Sequence, residues 1–242
     1  MTHMVCWYPN ISESEKIFSC LAQESEYIEI QFPFSDPIAD GSTLELANKI
    51  ALENGITIEN CFHFVEKNIN NAPAVKVLIM TYYNIILNYG VEKFIKKAKS
   101  IWVYGFIIPD VPFDEADWKE IRFLCKKHNI VFTELVSPAT WDARLKKISE
   151  LNPELIYAIS QNMTTGSEAN FWNDFISYMK NIRTYFSGKI WVWFGIKTHK
   201  DVTQVCKEAD FAIIGSQFIK KYDAWWITKL HEYLLSIRKN KK

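Results

Sequence analysis

Residues 27–43, YIEIQFPFSDPIADGST, place one carboxylate inside a strand-like run and another in the loop just beyond it. Ile28, Ile30 and Phe32 alternate with Tyr27, Glu29 and Gln31, a period of two that sends successive side chains to opposite faces. Pro33 cannot donate to a strand ladder and ends the run. The loop that follows combines Pro37, Gly41, Asp36 and Asp40, the composition of a stiff, shaped connection. A carboxylate on a strand covered on both faces is costly unless it is hydrogen-bonded or its proton affinity shifts. Glu29 is therefore a candidate for proton transfer. Asp40, in Ala-Asp-Gly, fits ordinary turn chemistry as well as a functional role.

A second constellation lies far along the chain. Gly166, Gly195 and Gly215-Ser216 each follow a strand-like run. Glycines let backbone N–H groups approach a ligand, and Ser216 adds a hydroxyl where a helix begins. Such donors suit a phosphate group. The alternative is that these glycines merely turn the chain. Asp110, after Pro109, is equally placed to cap the following helix.

The elements that must position these residues alternate throughout. Strand-like runs at 2–8, 27–32, 75–80, 102–108, 131–136, 155–160, 190–194 and 211–214 are each followed by amphipathic segments. Asn10 is suited to cap the first helix and Gly55 to stop the one from Thr43 to Asn54. Eight such units in 242 residues predict a single-domain (β/α)8 TIM barrel, with its chemistry at the C-terminal strand ends. Those ends carry Glu29 and Asp40, Tyr82 and Asn84, Asp110, Ser137 and Pro138, Tyr157 and Ser160, then the glycines. A doubly wound open sheet would call for a glycine-rich dinucleotide loop after the first strand, and Tyr8-Pro9-Asn10 is not one.

Composition narrows the function classes. Lys plus Arg and Asp plus Glu both number 28, so no global field favours nucleic acid or an anionic membrane. No apolar run approaches the ~20 residues a membrane span needs, and no signal peptide is visible. The five scattered cysteines, none in C-x-x-C spacing, point to reduced thiols in a cytoplasmic protein. The histidines show no metal-ligand spacing, so no metal is expected.

The run Glu29 to Gly41, with Met80-Thr-Tyr-Tyr-Asn84, Pro109-Asp-Val-Pro112, Thr165-Gly166, Phe194-Gly-Ile196 and Gly215-Ser216, resembles the tryptophan synthase alpha chain in collinear order. The resemblance implies a TIM barrel that cleaves indole-3-glycerol phosphate by a retro-aldol step, with Glu29 as general acid–base and Asp40 holding the indole N–H. Thr165 would belong to a lid, and Gly166, Gly195, Gly215 and Ser216 would hold the phosphate. Leu44, Met80, Ile107, Tyr157, Phe194 and Ile213 match the family's pocket positions. The resemblance also implies a beta-chain partner carrying pyridoxal phosphate in an α2β2 heterotetramer, met by Asp36, Pro37, Asp110 and Pro112. No cofactor is expected in this chain.

The departures from the family are informative. Gln31, Met163 and Trp193 stand where the family has glycine, Gln161 where it has arginine, and Ser42 where it has proline; the family's extra first helix is also not seen. If Glu29 points inward, so does Gln31, and Trp193 shares a face with Gly195. A buried Trp covers on the order of 150–250 Å². The expectation remains a lyase that cleaves indole-3-glycerol phosphate; the alternative is a pocket partly filled by its own side chains, in a subunit that cleaves weakly and mainly activates the beta chain.

Overall fold

Branched and polar residues alternating along the first half of the chain assemble into a parallel sheet. The computed structural model describes residues 1–159, 168–193 and 195–237. In it, β1 (Thr2–Val5), β2 (Tyr27–Gln31), β3 (Lys76–Met80), β4 (Gly105–Ile107) and β5 (Val131–Phe132) pair in chain order, all parallel. Between them run α1 (Ile11–Glu24), α2 (Ser42–Glu53), α3 (Ile58–Asn71), α4 (Tyr83–Tyr89), α5 (Val91–Ser100) and α6 (Ala116–Lys127). Side-chain caps fix two of these starts. Asn10 accepts the Glu13 N–H at 3.0 Å, and Thr57 and Asn60 form a reciprocal capping box.

The chain clusters into two compact units, the first comprising Met1–Phe132 and Gly215–Leu235, the second Thr133–Ile214 and Ser236–Lys242. In the first unit, Phe32 meets Phe62 of α3 and Phe94 of α5, with ring centroids 5.3 and 6.0 Å away, and Phe94 meets Phe106 of β4 at 5.6 Å. These rings put the even-numbered residues of β2 under the helices. Glu29 and Gln31 therefore face the opposite side of the sheet. Register extends that face across the strands: His3, Glu29, Leu78 and Gly105 form one row, and Val5, Gln31, Met80 and Ile107 the next. α10 (Ser216–Ile237) joins this unit through Tyr8 Oη donating to Asp223 at 2.8 Å and Tyr222 Oη donating to Glu13 at 2.6 Å.

The second unit repeats the pattern with β6 (Glu134–Val136), α7 (Asp142–Glu150), β7 (Leu155–Ile159), α8 (Glu168–Tyr185), β8 (Lys189–Trp193), α9 (His199–Glu208) and β9 (Phe211–Ile213). Its four strands pair in chain order and are parallel. Tyr178 Oη ties α8 to β6 by donating to the Val136 carbonyl at 2.9 Å.

Several boundaries differ from the sequence reading. The first strand stops at Val5, because Trp7 turns the chain at φ 66°. The fourth begins only at Gly105, beyond another such turn at Trp102. The fifth run is interrupted at Thr133, so β5 pairs with β4 while β6 pairs with β7. α4 was not anticipated. Gly90, at φ +94°, ends it and starts α5 within one residue.

Candidate active site

Glu29 sits midway along β2, 2% exposed, on the sheet face opposite the one that Phe32 presents to α3 and α5. The parallel register sets His3 of β1 directly beside it. Nδ1 of His3 lies 3.1 Å from Glu29 Oε1, and the imidazole is 1% exposed. Two residues on, Gln31 is fully buried and its Nε2 donates to Asp40 Oδ2 at 2.6 Å. Thus the glutamine that replaces the expected glycine grips the second candidate carboxylate.

Asn48 of α2 completes this cluster. Its Nδ2 donates to Asp40 Oδ2 at 3.3 Å and to the Leu44 carbonyl at 2.8 Å. Its Oδ1 accepts from Gln31 Nε2 at 3.3 Å and from the Phe34 N–H at 3.1 Å. The loop is also pinned from the residue that precedes α4: Tyr82 Oη accepts the Ala39 N–H at 3.0 Å, and its ring stacks on Phe34 at 5.1 Å. Asp40 is thereby held in a constructed environment, more than turn chemistry requires.

Burial pushes the Asp40 carboxyl above its usual range. The Gln31 bond and His3 pull it down, while the charge of Glu29 pushes it further up. The Tyr82 phenol is likewise raised, first by burial and then by Asp40. Asp110 is also raised by burial, partly offset by backbone N–H donors. It accepts the Tyr83 N–H at 2.8 Å, so it ties the loop after β4 to the start of α4. Of the expected partner-facing residues, Asp36 and Pro112 are exposed, and Pro37 and Asp110 half-buried. Ile38 beside them is 70% exposed. Leu44, Met80 and Ile107 are buried, the last two paired in register.

In the second unit, Trp193 at the end of β8 stacks on Tyr157 of β7, with centroids 6.4 Å apart and planes 26° apart. Trp191, on the same face of β8, is completely buried. Ile213 is buried and pairs with Trp193 in register. Gly195 adopts φ +59°, and a side chain there would meet nothing within 4 Å. Backbone conformation, not space, is what calls for glycine at this turn. In the first unit, the Gly215 carbonyl accepts the Phe218 N–H at 2.9 Å as Ser216 opens α10, so backbone N–H groups are presented at a helix start. Gln161, Met163, Thr165, Gly166 and Phe194 lie outside the described residues.

The residues that the sequence reading passed over are His3 and Asn48. His3 is signalled only weakly, as a polar residue alternating with Met4 in a strand otherwise short of polar groups. Asn48 lies four residues after Leu44 on one helical face, where a buried amide is uncommon. Among the described residues, no group of three His, Cys, Asp or Glu could hold a metal ion. No described helix is long and apolar enough to cross a membrane.

What this arrangement can do is move a proton at a buried strand position while a nearby loop carboxylate receives a donor. The family model for the tryptophan synthase alpha chain matches residues 1–236. The tryptophan synthase alpha chain of Flavobacterium johnsoniae is 36% identical, the match covering 96% of this chain and 91% of that one. That of Syntrophotalea carbinolica is 33% identical over 98% and 93% respectively. Among solved structures, the Campylobacter jejuni tryptophan synthase subunit alpha superposes with a TM-score of 0.86 at 31% identity, over 98% of this chain and 94% of that one. An Aquifex aeolicus chain superposes at 0.89 with 29% identity, covering 98% and 92%. Motif order, parallel β/α topology and near-complete coverage agree: the chain belongs to the tryptophan synthase alpha chain family and shares its (β/α)8 barrel fold.

Proposed function

We propose that this chain, as a single-domain subunit, cleaves indole-3-glycerol phosphate to indole and glyceraldehyde 3-phosphate. Glu29 acts as general acid–base. A proton is delivered to indole C3 and the proton of the adjacent side-chain hydroxyl is removed. The carbon–carbon bond between those centres breaks, its electrons returning to the ring as the hydroxyl carbon becomes the aldehyde. Asp40 accepts the ring N–H and stabilises the positive charge that develops there. Gly166, Gly195, Gly215 and Ser216 hold the phosphate, and Thr165 belongs to the covering loop. The observation that carries this reading is the buried Glu29 on the sheet face opposite the Phe32 ring cluster, with Asp40 held just beyond its strand.

Family membership gives the chain a role in tryptophan synthesis and a beta-chain partner, which carries the pyridoxal phosphate. We propose that the two assemble as α2β2 in the cytoplasm, with Asp36, Pro37, Asp110 and Pro112 toward the partner, so that indole passes directly to it. Release of indole by the isolated chain is the test. Glu29→Gln should lower it by roughly 100-fold or more, and an unaltered rate would remove Glu29 from the chemistry.

A second reading is favoured by one contact in each unit. The Gln31 amide already donates to Asp40, and the Trp193 indole already covers the Tyr157 ring. A ring N–H must compete with Gln31 for Asp40, and an indole must displace Trp193 from Tyr157. On this reading cleavage is slow, and the chain serves chiefly to activate the beta subunit. Gln31→Gly should then speed indole release, at a cost of about 1–3 kcal/mol in stability from lost buried hydrogen bonds and a strand glycine. The wild-type chain should stimulate a beta chain's serine-plus-indole reaction whatever its own turnover. Full-speed cleavage by the wild type would dismiss this second reading.

A further inference from the structure

We propose that His3 is a positioning residue for Glu29, an inference that rests on Glu29 carrying the proton transfer. The two side chains are 26 positions apart in sequence and come together because β1 and β2 are parallel with His3 opposite Glu29. Their separation of 3.1 Å, at 1% and 2% exposure, is a close polar contact in a dry interior. A buried carboxylate without such a partner is costly, and a rotamer held from a neighbouring strand is held more tightly than one held from a loop. His3 keeps Oε1 engaged, so the carboxylate meets the reacting proton in one orientation.

The surroundings of the imidazole are consistent with this pairing. Besides Glu29, it borders a small cavity shared with Tyr8, Ile17, Phe218 and Tyr222. Both phenols are occupied elsewhere, Tyr8 donating to Asp223 and Tyr222 to Glu13. Asp40 is within electrostatic reach of His3 and Glu29, but its carboxylate is taken up by Gln31 and Asn48. Within the polar cluster, His3 lies against Glu29 while Gln31 and Asn48 hold Asp40.

The test combines turnover with a signal that does not depend on it. His3→Phe keeps a ring of similar size without the nitrogen, and His3→Asn returns a donor close to the position of Nδ1. Loss of positioning predicts a fall in kcat of roughly 10–100-fold in His3→Phe, an unchanged KM, and recovery of most of the rate in His3→Asn. In parallel, the ring resonances of His3, assigned by their loss in His3→Phe, are followed by NMR in the intact chain and in Glu29→Gln. They should move in Glu29→Gln while those of His63, His128, His199 and His231 stay in place. Resonances indifferent to Glu29→Gln, or a His3→Phe chain with wild-type kcat, overturn the proposal. A wild type that releases no indole but shows the coupled resonance overturns the lyase reading alone and supports the pairing.

Discussion

Asp40 is the residue on which chemistry and stability pull in opposite directions. Burial raises its carboxyl above the usual carboxylate range, so the folded state favours the protonated acid more than the unfolded chain does. Linkage gives the sign: this contribution to stability is fully present below the unfolded-state value and is lost as pH rises through the folded one. Near neutral pH the charged Asp40 therefore works against folding. Asp40→Asn keeps an oxygen for the Gln31 amide and removes the charge. Thermal melts should show it more stable than wild type near pH 7, with the difference shrinking toward pH 4, while indole release collapses. A gain that grows on acidification would contradict the assignment. Such an exchange of stability for a charged group is common at functional sites.

At the scale of elements, the turns proposed to hold the phosphate depend on backbone more than on side chains. Gly195 leaves β8 at φ +59° with open space around it. Alanine there would meet no clash, yet an L-residue in this region costs about 1–2 kcal/mol. Gly195→Ala should lower stability by that amount in denaturant titrations and weaken binding of a phosphorylated substrate more than binding of free indole. Equal weakening of both would argue that the turn is only a turn. α10 offers its N-terminus at Ser216 and then breaks at Trp226, whose φ of 63° interrupts the helix. The opening turn, from Ser216 through Phe218, is anchored by the Gly215 carbonyl.

At the scale of the molecule, the ring cluster of Phe32, Phe62, Phe94 and Phe106 joins strands to helices in the first unit. Phe94 is fully buried and touches the other three. Phe94→Ala should cost about 3–5 kcal/mol, read as a shift in the urea midpoint. The same cluster fixes which face of β2 turns from the helices, so its loss should also lower cleavage. A destabilised variant with unchanged kcat would show that the site tolerates movement of its sheet. By contrast, exposed pairs such as Lys49–Glu53 contribute little to holding the fold.

Much of this protein was legible in one dimension because its physics is local. Period-two alternation in Tyr27–Gln31 makes a strand and sends Glu29 and Gln31 to one face; Asn10 and Gly41 mark helix starts; glycines stand where positive φ or close approach is needed. Those cues, in order, also carry the family resemblance. The strand breaks at Val5 and Thr133 were not legible, because turns such as that at Trp7 arise where non-glycine residues accept a left-handed backbone. Contacts were the larger omission. That His3 meets Glu29, that the Gln31 amide points at Asp40, and that Trp193 lies on Tyr157 are consequences of strand register and rotamer choice. Alternation states which face a side chain takes. Only the register between strands, set by the packing of whole elements, decides which neighbour it finds there.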